Sequence, residues 1–419
     1  MKLKIDKVVY GGYGLAKENN TVYFVPYALP GEEVEIEVVE DKKDYKLGRL
    51  VDVLKPSEYR LKPACEYFTA CGGCDFQHTT YENQLLLKKE ILKDQLLRIG
   101  KIETEIEKII PSKEPFRYRN KTQLKYDGKN LGFYKKDSND LVNVNYCLLL
   151  KEDIEKLLNP LKKFLIKYAI MPSNIHIFSN TKEEKLIRFE FLDESQLSNI
   201  IYDMNIFREE IDEKIKGIGF YFKHKRHSLL GEDVVFENIG DYKFRVSMDS
   251  FFQVNVYQIK NLIDEVVSEI KDEGFKKLVD FYCGVGTLTI PASKYVKEVL
   301  GIESNEEAVK DAKANIKHNK LKNVKFLKAQ TEKGLKYAKD FLPEVVIFDP
   351  PRSGLNRKIV NEISKIQTVR KIIYVSCDPS TLSRDLRQFI ENGFKLKKVK
   401  LIDMFPQTYH IESISVLER

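Results

Sequence analysis

Six cysteines provide the most reactive side chains of this sequence, because a thiolate can bind a metal or act as a nucleophile. Cys65, Cys71 and Cys74 lie close together, and Cys147 follows far downstream. Such spacings hold zinc or an iron–sulfur cluster, and the spacing alone leaves both metals open, as it does unliganded cysteines. Disulfides are rare in the cytosol, where we expect this chain because its start lacks the apolar segment of a secretory signal.

Cys377 stands apart from that group, at the end of a predicted strand, KIIYVSC, that Asp378 and Pro379 terminate. The carboxyl ends of strands are where open α/β sheets bind their ligands. Cys377 is therefore a candidate nucleophile. The alternative is a small buried hydrophobic residue, which is the commoner environment of a lone cysteine.

A glycine-rich turn, LVDFYCGVGT over residues 278–287, follows a predicted buried strand and precedes a helix. Gly284 in this turn would let a ligand approach the backbone and the helix N-terminus. Glu303 ends the next strand, about 20 residues beyond Asp280, where an acid suits ribose hydroxyls. A dinucleotide site would have Gly or Ala where Thr289 stands. The turn therefore resembles motif I of S-adenosylmethionine (AdoMet) methyltransferases, with other nucleotide-binding folds and a structural turn as alternatives.

A third strand end carries Asp349, followed by two prolines and Arg352. Some methyltransferases that act on flipped bases resemble this pattern, but with an aromatic residue after the prolines. Arg352 in that place argues against methylation of an amine. Methylation of a carbon such as C5 of uracil would instead need a thiolate that adds to C6 and a base that removes the C5 proton. His410 and Glu412 near the C-terminus are the candidate bases.

The predicted elements around these residues divide the chain into three domains. Residues 1–56 contain short strands and glycine turns, typical of a small β-barrel of the oligonucleotide-binding kind. Residues 57–235 form a central α+β domain that carries the cysteine group and a basic segment. Residues 236–419 alternate helices and strands, which predicts an α/β, Rossmann-like domain with a mostly parallel sheet.

The charge of the chain is concentrated in one segment. The formal net charge is +7, and residues 84–136 alone hold 14 Lys and Arg against seven Asp and Glu. Within them PFRYRNKTQLKY alternates cations with aromatic side chains, which could contact phosphates and stack on unpaired bases. A solvated strand face is the alternative. Phe251 and Phe252 are candidates to pack a flipped base, or to lie in the core. No apolar run approaches the roughly 18 residues of a membrane span, and no obligate protein partner is evident.

Five motifs together resemble the RNA uridine-C5 methyltransferase family, which makes 5-methyluridine in 23S rRNA or in the tRNA T-loop. They are SFFQVN (250–255), DFYCGVG (280–286), DPPRSG (349–354), SCDPSTLSRD (376–385) and DMFPQTYHIES (403–413). The resemblance covers nearly the whole chain. It implies that Cys377 is the nucleophile and that Glu412 takes the C5 proton. It also implies that the cofactor and the target base are bound by Gln253, Tyr282, Gly284, Glu303, Gln330 and Asp349.

The resemblance extends to the N-terminal part of the chain. Members that act on rRNA carry a TRAM barrel and bind a 4Fe–4S cluster, which here would use Cys65, Cys71, Cys74 and Cys147. Many bacterial enzymes of the tRNA T-loop lack both features. The resemblance therefore predicts an AdoMet-dependent enzyme of 23S rRNA, with the tRNA T-loop as the alternative substrate.

The sequence leaves one other function open and argues against a second. One is a non-enzymatic iron–sulfur RNA-binding protein in which Cys377 is a core residue. The other, a DNA cytosine-C5 methyltransferase, is disfavoured because the nucleophile of that family follows a proline, and this sequence contains no Pro-Cys pair.

Overall fold

The computed structural model describes residues 1–197 and 200–419, and its first 55 residues form a small barrel-like sheet. Val34 and Ile36 alternate with exposed glutamates and enter the barrel core, as the sequence pattern predicts. The backbone NH of Asp6 donates to the carbonyl of Leu15 at 2.8 Å, which extends the pairing of two neighbouring strands. The strands are β1 (Lys2–Lys4), β2 (Lys7–Val9), β3 (Tyr13–Glu18), β4 (Thr21–Pro26), β5 (Glu33–Asp41) and β6 (Lys46–Lys55), in the order β1-β5-β6-β4-β3-β2.

A second, mixed sheet lies in the middle of the chain. Its apolar face packs against helices that lie between its strands in the sequence. The elements of this part are α1 (Tyr81–Gln95), β7 (Lys108–Ile110), β8 (Lys121–Tyr126), β9 (Leu131–Tyr134), β10 (Leu141–Asn143), α2 (Glu152–Glu155), α3 (Leu158–Lys167), β11 (Asn174–Ser179), β12 (Lys185–Phe191), α4 (Ile200–Ile211), β13 (Ile215–Phe222) and β14 (Lys225–Gly231). The sheet has the order β10-β9-β8-β11-β12-β13-β14.

The C-terminal part is a doubly wound α/β unit. Its elements are β15 (Val234–Ile239), β16 (Tyr242–Ser247), α5 (Ile259–Ser268), β17 (Lys277–Phe281), α6 (Thr289–Ala292), β18 (Glu298–Glu303), α7 (Glu306–His318), β19 (Val324–Lys328), α8 (Thr331–Phe341), β20 (Val345–Phe348), α9 (Arg357–Ser364), β21 (Lys371–Ser376), α10 (Pro379–Glu391), β22 (Lys395–Ile402) and β23 (Glu412–Glu418). The C-terminal sheet has the order β19-β18-β17-β20-β21-β23-β22-β7.

The C-terminal sheet is parallel from β19 to β21 and continues through the antiparallel strand β23. Strands β17, β20 and β21 are almost entirely buried, because helices cover both faces of the sheet. The predicted fold class is confirmed: a small N-terminal barrel and a central α+β part precede an α/β domain.

Segments of the central part also join the C-terminal sheet. Strand β7 pairs with β22 at its edge, and Leu87, Ile91 and Leu92 of α1 pack into its core. Strand β15 spans residues 235 and 236, where the sequence analysis puts a domain boundary. The boundaries 1–56, 57–235 and 236–419 thus remain predictions. Among the described helices, none is both long enough and apolar enough to span a bilayer.

Candidate active site

The glycine-rich turn after β17 forms one wall of a cavity at the carboxyl edge of the C-terminal sheet. Gly284 has a φ of +53°, and a Cβ added to it would meet nothing within 4 Å, so the space above the turn is open. Tyr282 has a positive φ as well, +63°. The residues that line the cavity are Phe251, Gln253, Asp280, Tyr282, Cys283, Gly284, Val285, Thr287, Leu288 and Asp349. Four of the predicted cofactor-site residues therefore meet here: Gln253, Tyr282, Gly284 and Asp349.

Glu303 lies beside this turn, at the end of β18. Its Oε2 accepts a hydrogen bond from the backbone NH of Gly284 at 3.0 Å. Its Oε1 accepts from the backbone NH groups of Ser304 and Asn305, at 2.6 and 2.7 Å. The carboxylate is thus fixed in orientation next to the glycine turn, as a residue that binds ribose hydroxyls would need to be.

Asp280 supplies an unsatisfied buried acceptor to the same cavity. Burial raises the pKa of this carboxyl to about 8. The hydroxyl of Thr289 donates to its Oδ2 at 2.5 Å, whereas its Oδ1 has no partner among the described residues. Because buried polar atoms are nearly always paired, this oxygen fits a ligand that brings a donor, such as the ammonium group of AdoMet.

Gln330 is placed differently from the other predicted cofactor residues. It precedes α8 as an N-cap that makes no side-chain capping bond, and it is exposed. Its neighbour Ala329 donates a backbone hydrogen bond to the carbonyl of Glu303 at 2.8 Å. Gln330 therefore follows the strand next to Glu303 but is not among the residues that line the cavity, and its role stays a prediction.

Cys377 and Glu412 are brought side by side by the sheet. Strands β21 and β23 pair antiparallel with Ser376 opposite Ser413, so the residue after β21 lies next to the residue that begins β23. Burial, together with the nearby Glu412 and Asp349 carboxyls, raises the pKa of the Cys377 thiol to about 12. Arg352 acts in the opposite direction. A thiol in this environment needs help to lose its proton.

Glu412 and Asp349 form a buried pair of carboxyls beside the thiol. Burial raises the pKa of Glu412 well above its ordinary value, and the charge of Asp349 adds to this effect. Burial also raises the pKa of Asp349 to about 7. The amide Nε2 of Gln253 approaches Asp349 Oδ2 at 3.5 Å. Two carboxyls with raised pKa at a cavity are typical of groups that hold or move protons.

His410, the other candidate base, is a poor proton acceptor. Burial, together with the positive charge of Arg352, lowers its pKa to about 3. Arg352 Nη2 lies 3.3 and 3.2 Å from the two ring nitrogens. A base with so low a pKa takes a proton weakly, which favours Glu412 over His410 for that role.

The loop that carries Cys377 is held by a helix cap and by the N-terminal barrel. Asp378 is the N-cap of α10 and accepts from the backbone NH groups of Ser380 and Thr381, both at 2.9 Å. The hydroxyl of Tyr10 donates to Asp378 Oδ2 at 2.9 Å. No local signal in the sequence points to Tyr10, because its partner Asp378 follows 368 positions later.

The interleaved basic segment is largely structural. Tyr118 is fully buried and Tyr126 is 8% exposed, so the prediction that these rings stack on bases is wrong. Arg117 forms an ion pair with Glu155. Burial lowers the pKa of Lys121. Over Lys121–Tyr126 the alternation reflects a strand, β8, that presents one face to the core.

The two neighbouring phenylalanines have opposite environments. Phe252 is 1% exposed and packs edge-on against Phe178 in the core. Phe251 is 60% exposed and lines the cavity beside Gln253. Phe251 is therefore the one that could pack against a flipped base.

The four cysteines of the N-terminal half line a single cavity. Cys65, Cys71, Cys74 and Cys147 face it together with Phe68 and other residues. All six cysteines lie in the described part of the chain, and none of them forms a disulfide. Within residues 1–197 and 200–419, no group of three or more His, Cys, Asp or Glu is arranged to hold a metal ion. The sequence prediction of a cluster is therefore unconfirmed, although the four predicted ligands do converge.

Comparison with known families gives matches over nearly the whole chain. A family model described as tRNA (uracil-5-)-methyltransferase matches residues 80–419, and a TRAM domain model matches residues 1–51. The first of these spans most of the chain and includes the thiol, the carboxyl pair and the glycine turn.

Individual relatives agree with these matches. A protein of Aquifex aeolicus named as an uncharacterized RNA methyltransferase is 41% identical over 428 residues, which cover 100% of this chain and 98% of that protein. A protein of the same name from Clostridium tetani is 34% identical and covers 97% and 93%. The crystal structure of Pyrococcus abyssi tRNA (uracil-54, C5)-methyltransferase in complex with S-adenosyl-L-homocysteine has a TM-score of 0.78 and 24% identity, with 100% of both chains covered. That likeness shows a shared fold.

Proposed function

The chain belongs to the tRNA (uracil-5-)-methyltransferase family, and we propose that it methylates C5 of a specific uridine in 23S rRNA. Family membership makes it an AdoMet-dependent RNA (uracil-C5)-methyltransferase with a TRAM domain and an RNA substrate. The observation that carries the residue roles is the pairing of β21 with β23, which sets Cys377 beside Glu412. Asp349, which lines the glycine-turn cavity, lies close to both.

The proposed reaction begins at the Cys377 thiol. After losing its proton, the sulfur adds to C6 of the uracil, and the electrons of the C5–C6 double bond make C5 nucleophilic. AdoMet, when bound, supplies the methyl group that C5 takes, and it leaves as S-adenosylhomocysteine. Glu412 then removes the remaining C5 proton. The electrons left by that proton restore the C5–C6 double bond and break the C6–S bond, which returns Cys377 as a thiolate.

The other residues of the cavity bind and orient. The free Oδ1 of Asp280 would accept from the AdoMet ammonium, and Glu303 would accept from the ribose hydroxyls. Asp349, whose pKa burial raises, and Gln253 would bind the polar edge of the uracil. Phe251 would pack against the flipped base.

The choice of 23S rRNA is supported by the N-terminal barrel combined with four convergent cysteines. We propose that the enzyme meets this substrate in the cytoplasm. The tRNA T-loop is the second candidate, since the Pyrococcus abyssi enzyme, named for uracil-54 of tRNA, covers 100% of this chain and thus includes its barrel. The barrel alone does not separate the two substrates.

We also propose that Cys65, Cys71, Cys74 and Cys147 bind a 4Fe–4S cluster. Their convergence on one cavity supports this, because a cluster is held by four Cys thiolates. Methyl transfer is redox-neutral, so a cluster would fasten residues 65–74 to the segment around Cys147 rather than supply electrons. Anaerobically purified protein should contain iron and acid-labile sulfide in equal amounts, and Cys147→Ser should lose both while Cys283→Ser keeps them. Bound zinc would contradict the proposal.

The substrate is tested by mapping 5-methyluridine in rRNA and tRNA from a deletion strain. The proposal expects one or more 23S rRNA positions to lose the methyl group and to regain it with the wild-type gene, but not with Cys377→Ala. Loss at a T-loop position with intact 23S rRNA would establish the tRNA alternative. Unchanged RNA would favour a non-enzymatic RNA-binding protein.

A further inference from the structure

Residues 403–411 lead to Glu412, and we call this segment the base loop. It joins β22 to β23, and most of it is buried, although connecting segments usually run over the surface. Ile402 and Glu412 pair across the two strands at its ends. A shift at the start of the base loop would therefore move the Glu412 carboxylate as well.

Lys88 of helix α1 holds the start of the base loop. Its Nζ donates to Asp403 Oδ1 at 2.6 Å and to the carbonyl of Phe405 at 2.9 Å. The side chains of Lys88 and Asp403 are both 0% exposed. Stability alone gives no reason to bury two charges, because apolar residues of similar volume often stabilise a core as well or better. A buried pair at this place instead favours one arrangement of the base loop over others.

Neighbouring residues on the same face of α1 contact the base loop too. The hydroxyl of Tyr81 donates to Asp403 Oδ2 at 2.9 Å. Gln84 and Gln407 exchange two hydrogen bonds, at 3.0 and 2.9 Å. Tyr81, Gln84 and Lys88 are spaced three and four residues apart, so they share one helix face. Helix α1 thus contacts the base loop from its first residue to its middle.

We propose that Lys88, through Asp403, is a positioning residue that fixes the base loop and thereby aims Glu412 at the C5 proton. This inference rests on the proposed role of Glu412. It assigns to Lys88 an effect on one step of the reaction. Cys377 is carried by a different element, the cap of α10, and Lys88 makes no described hydrogen bond to that cap. Addition of the thiolate and methyl transfer should therefore survive the loss of Lys88, whereas proton removal should slow.

The two halves of the reaction can be measured separately with 23S rRNA transcribed in vitro. With uridine in the transcript, formation of 5-methyluridine needs every step. With 5-fluorouridine, C5 carries fluorine instead of a removable proton, so the methylated adduct on Cys377 stays covalent and its rate of formation reports the first half. Denaturing gels give the adduct, and nucleoside analysis gives 5-methyluridine.

Lys88→Met should leave adduct formation on the 5-fluorouridine transcript within about threefold of wild type. It should lower 5-methyluridine formation about tenfold or more and should accumulate adduct on the uridine transcript. Lys185→Met is the matched control, since Lys185 is 1% exposed and pairs with Asp212 at 2.9 Å in the central sheet. The control should lose stability without changing the ratio of the two rates.

Lys88→Met leaves an unpaired buried carboxylate and could prevent folding. The double variant Lys88→Met with Asp403→Asn removes both charges and should show the same change in ratio in a protein that melts cooperatively. If adduct formation and 5-methyluridine formation fall equally in the folded variants, so that their ratio is unchanged, the inference is overturned while the proposed wild-type reaction stands. A wild-type protein that forms no adduct on the 5-fluorouridine transcript would instead refute the proposed function, and this inference with it.

Discussion

The cofactor turn and the base loop, which meet at one site, are built in opposite ways. The cofactor turn takes its contacts from nearby sequence: Thr289 bonds Asp280 nine residues away, and Gly284 bonds Glu303 19 residues away. The base loop depends on α1, since Lys88 and Asp403 are 315 residues apart. A local motif can thus predict cofactor binding, whereas the position of a proton-accepting group depends on contacts between distant parts of the chain.

The largest effect is expected at the residue that both regions serve. Cys377→Ala should abolish 5-methyluridine formation, a loss of about 10³-fold or more. Without the thiolate, no group adds to C6, and C5 does not become nucleophilic. AdoMet binding should be unchanged, since the cofactor turn is separate. Ser415→Ala, at a buried residue inside β23 that does not line the cavity, serves as the control and should keep turnover. Residual methylation by Cys377→Ala within tenfold of wild type would exclude Cys377 as the nucleophile.

The cofactor turn is tested next, through Glu303. Glu303→Ala should weaken AdoMet binding by about 2 kcal/mol, roughly thirtyfold, because hydrogen bonds to charged groups are worth about 1.5–3 kcal/mol. Isothermal titration calorimetry measures this loss. Glu306→Ala, an exposed residue at the start of α7, is the matched control. If the two variants bind AdoMet with equal affinity, Glu303 does not contribute to AdoMet binding.

A continuous effect, which is small for each step of pH, is expected from the titration of the thiol. With the Cys377 pKa raised to about 12, the thiolate fraction increases about tenfold per pH unit well below that value. Adduct formation on the 5-fluorouridine transcript should therefore rise steadily from pH 6 to pH 9. His410, with a pKa near 3, stays neutral over this range. Burial raises the pKa of Asp349 to about 7, so this carboxyl gains charge in the range and should make the rise less steep there. A plateau that begins near pH 7 would show that the bound RNA or another group lowers the thiol pKa.

The smallest effect is expected at the exposed ring of the cavity. Phe251→Ala should raise the KM for RNA about fivefold or more, since stacking of a base on an aromatic ring is worth about 1–3 kcal/mol. AdoMet affinity should change less than RNA affinity. Phe252→Leu, in the core, should lower the melting temperature and leave the KM for RNA unchanged. A raised KM for RNA in Phe252→Leu but not in Phe251→Ala would show that Phe252, and not Phe251, contacts the base.

The contrast between the regions also explains what the sequence could predict. The strand ends at Asp280, Glu303 and Asp349 were predictable because buried parallel strands appear as apolar runs followed by polar residues. The antiparallel partner of β21 was not, so the sequence named Cys377 and Glu412 as a pair only through resemblance to a family.

Other features had weak signals or none. Lys88 lies on the apolar stripe of α1, four residues from Gln84 and from Leu92, and a lysine in that stripe is a sign of a buried partner. The basic segment was misleading, because its alternating aromatics are explained in part by a buried strand face, as Tyr126 of β8 shows. Tyr10 and strand β7 had no local signal, since each contacts a partner far away in the sequence.

The central claim is that Cys377 and Glu412 act on successive steps of one reaction, and the Glu412→Gln variant tests it most directly. The variant is incubated with AdoMet and in vitro transcribed 23S rRNA, denatured, digested and analysed by mass spectrometry. The account predicts a peptide containing Cys377 joined to a methylated uridine, because the C5 proton cannot leave and the C6–S bond therefore stays intact. Normal formation of 5-methyluridine by this variant, with an unmodified Cys377 peptide, would contradict it.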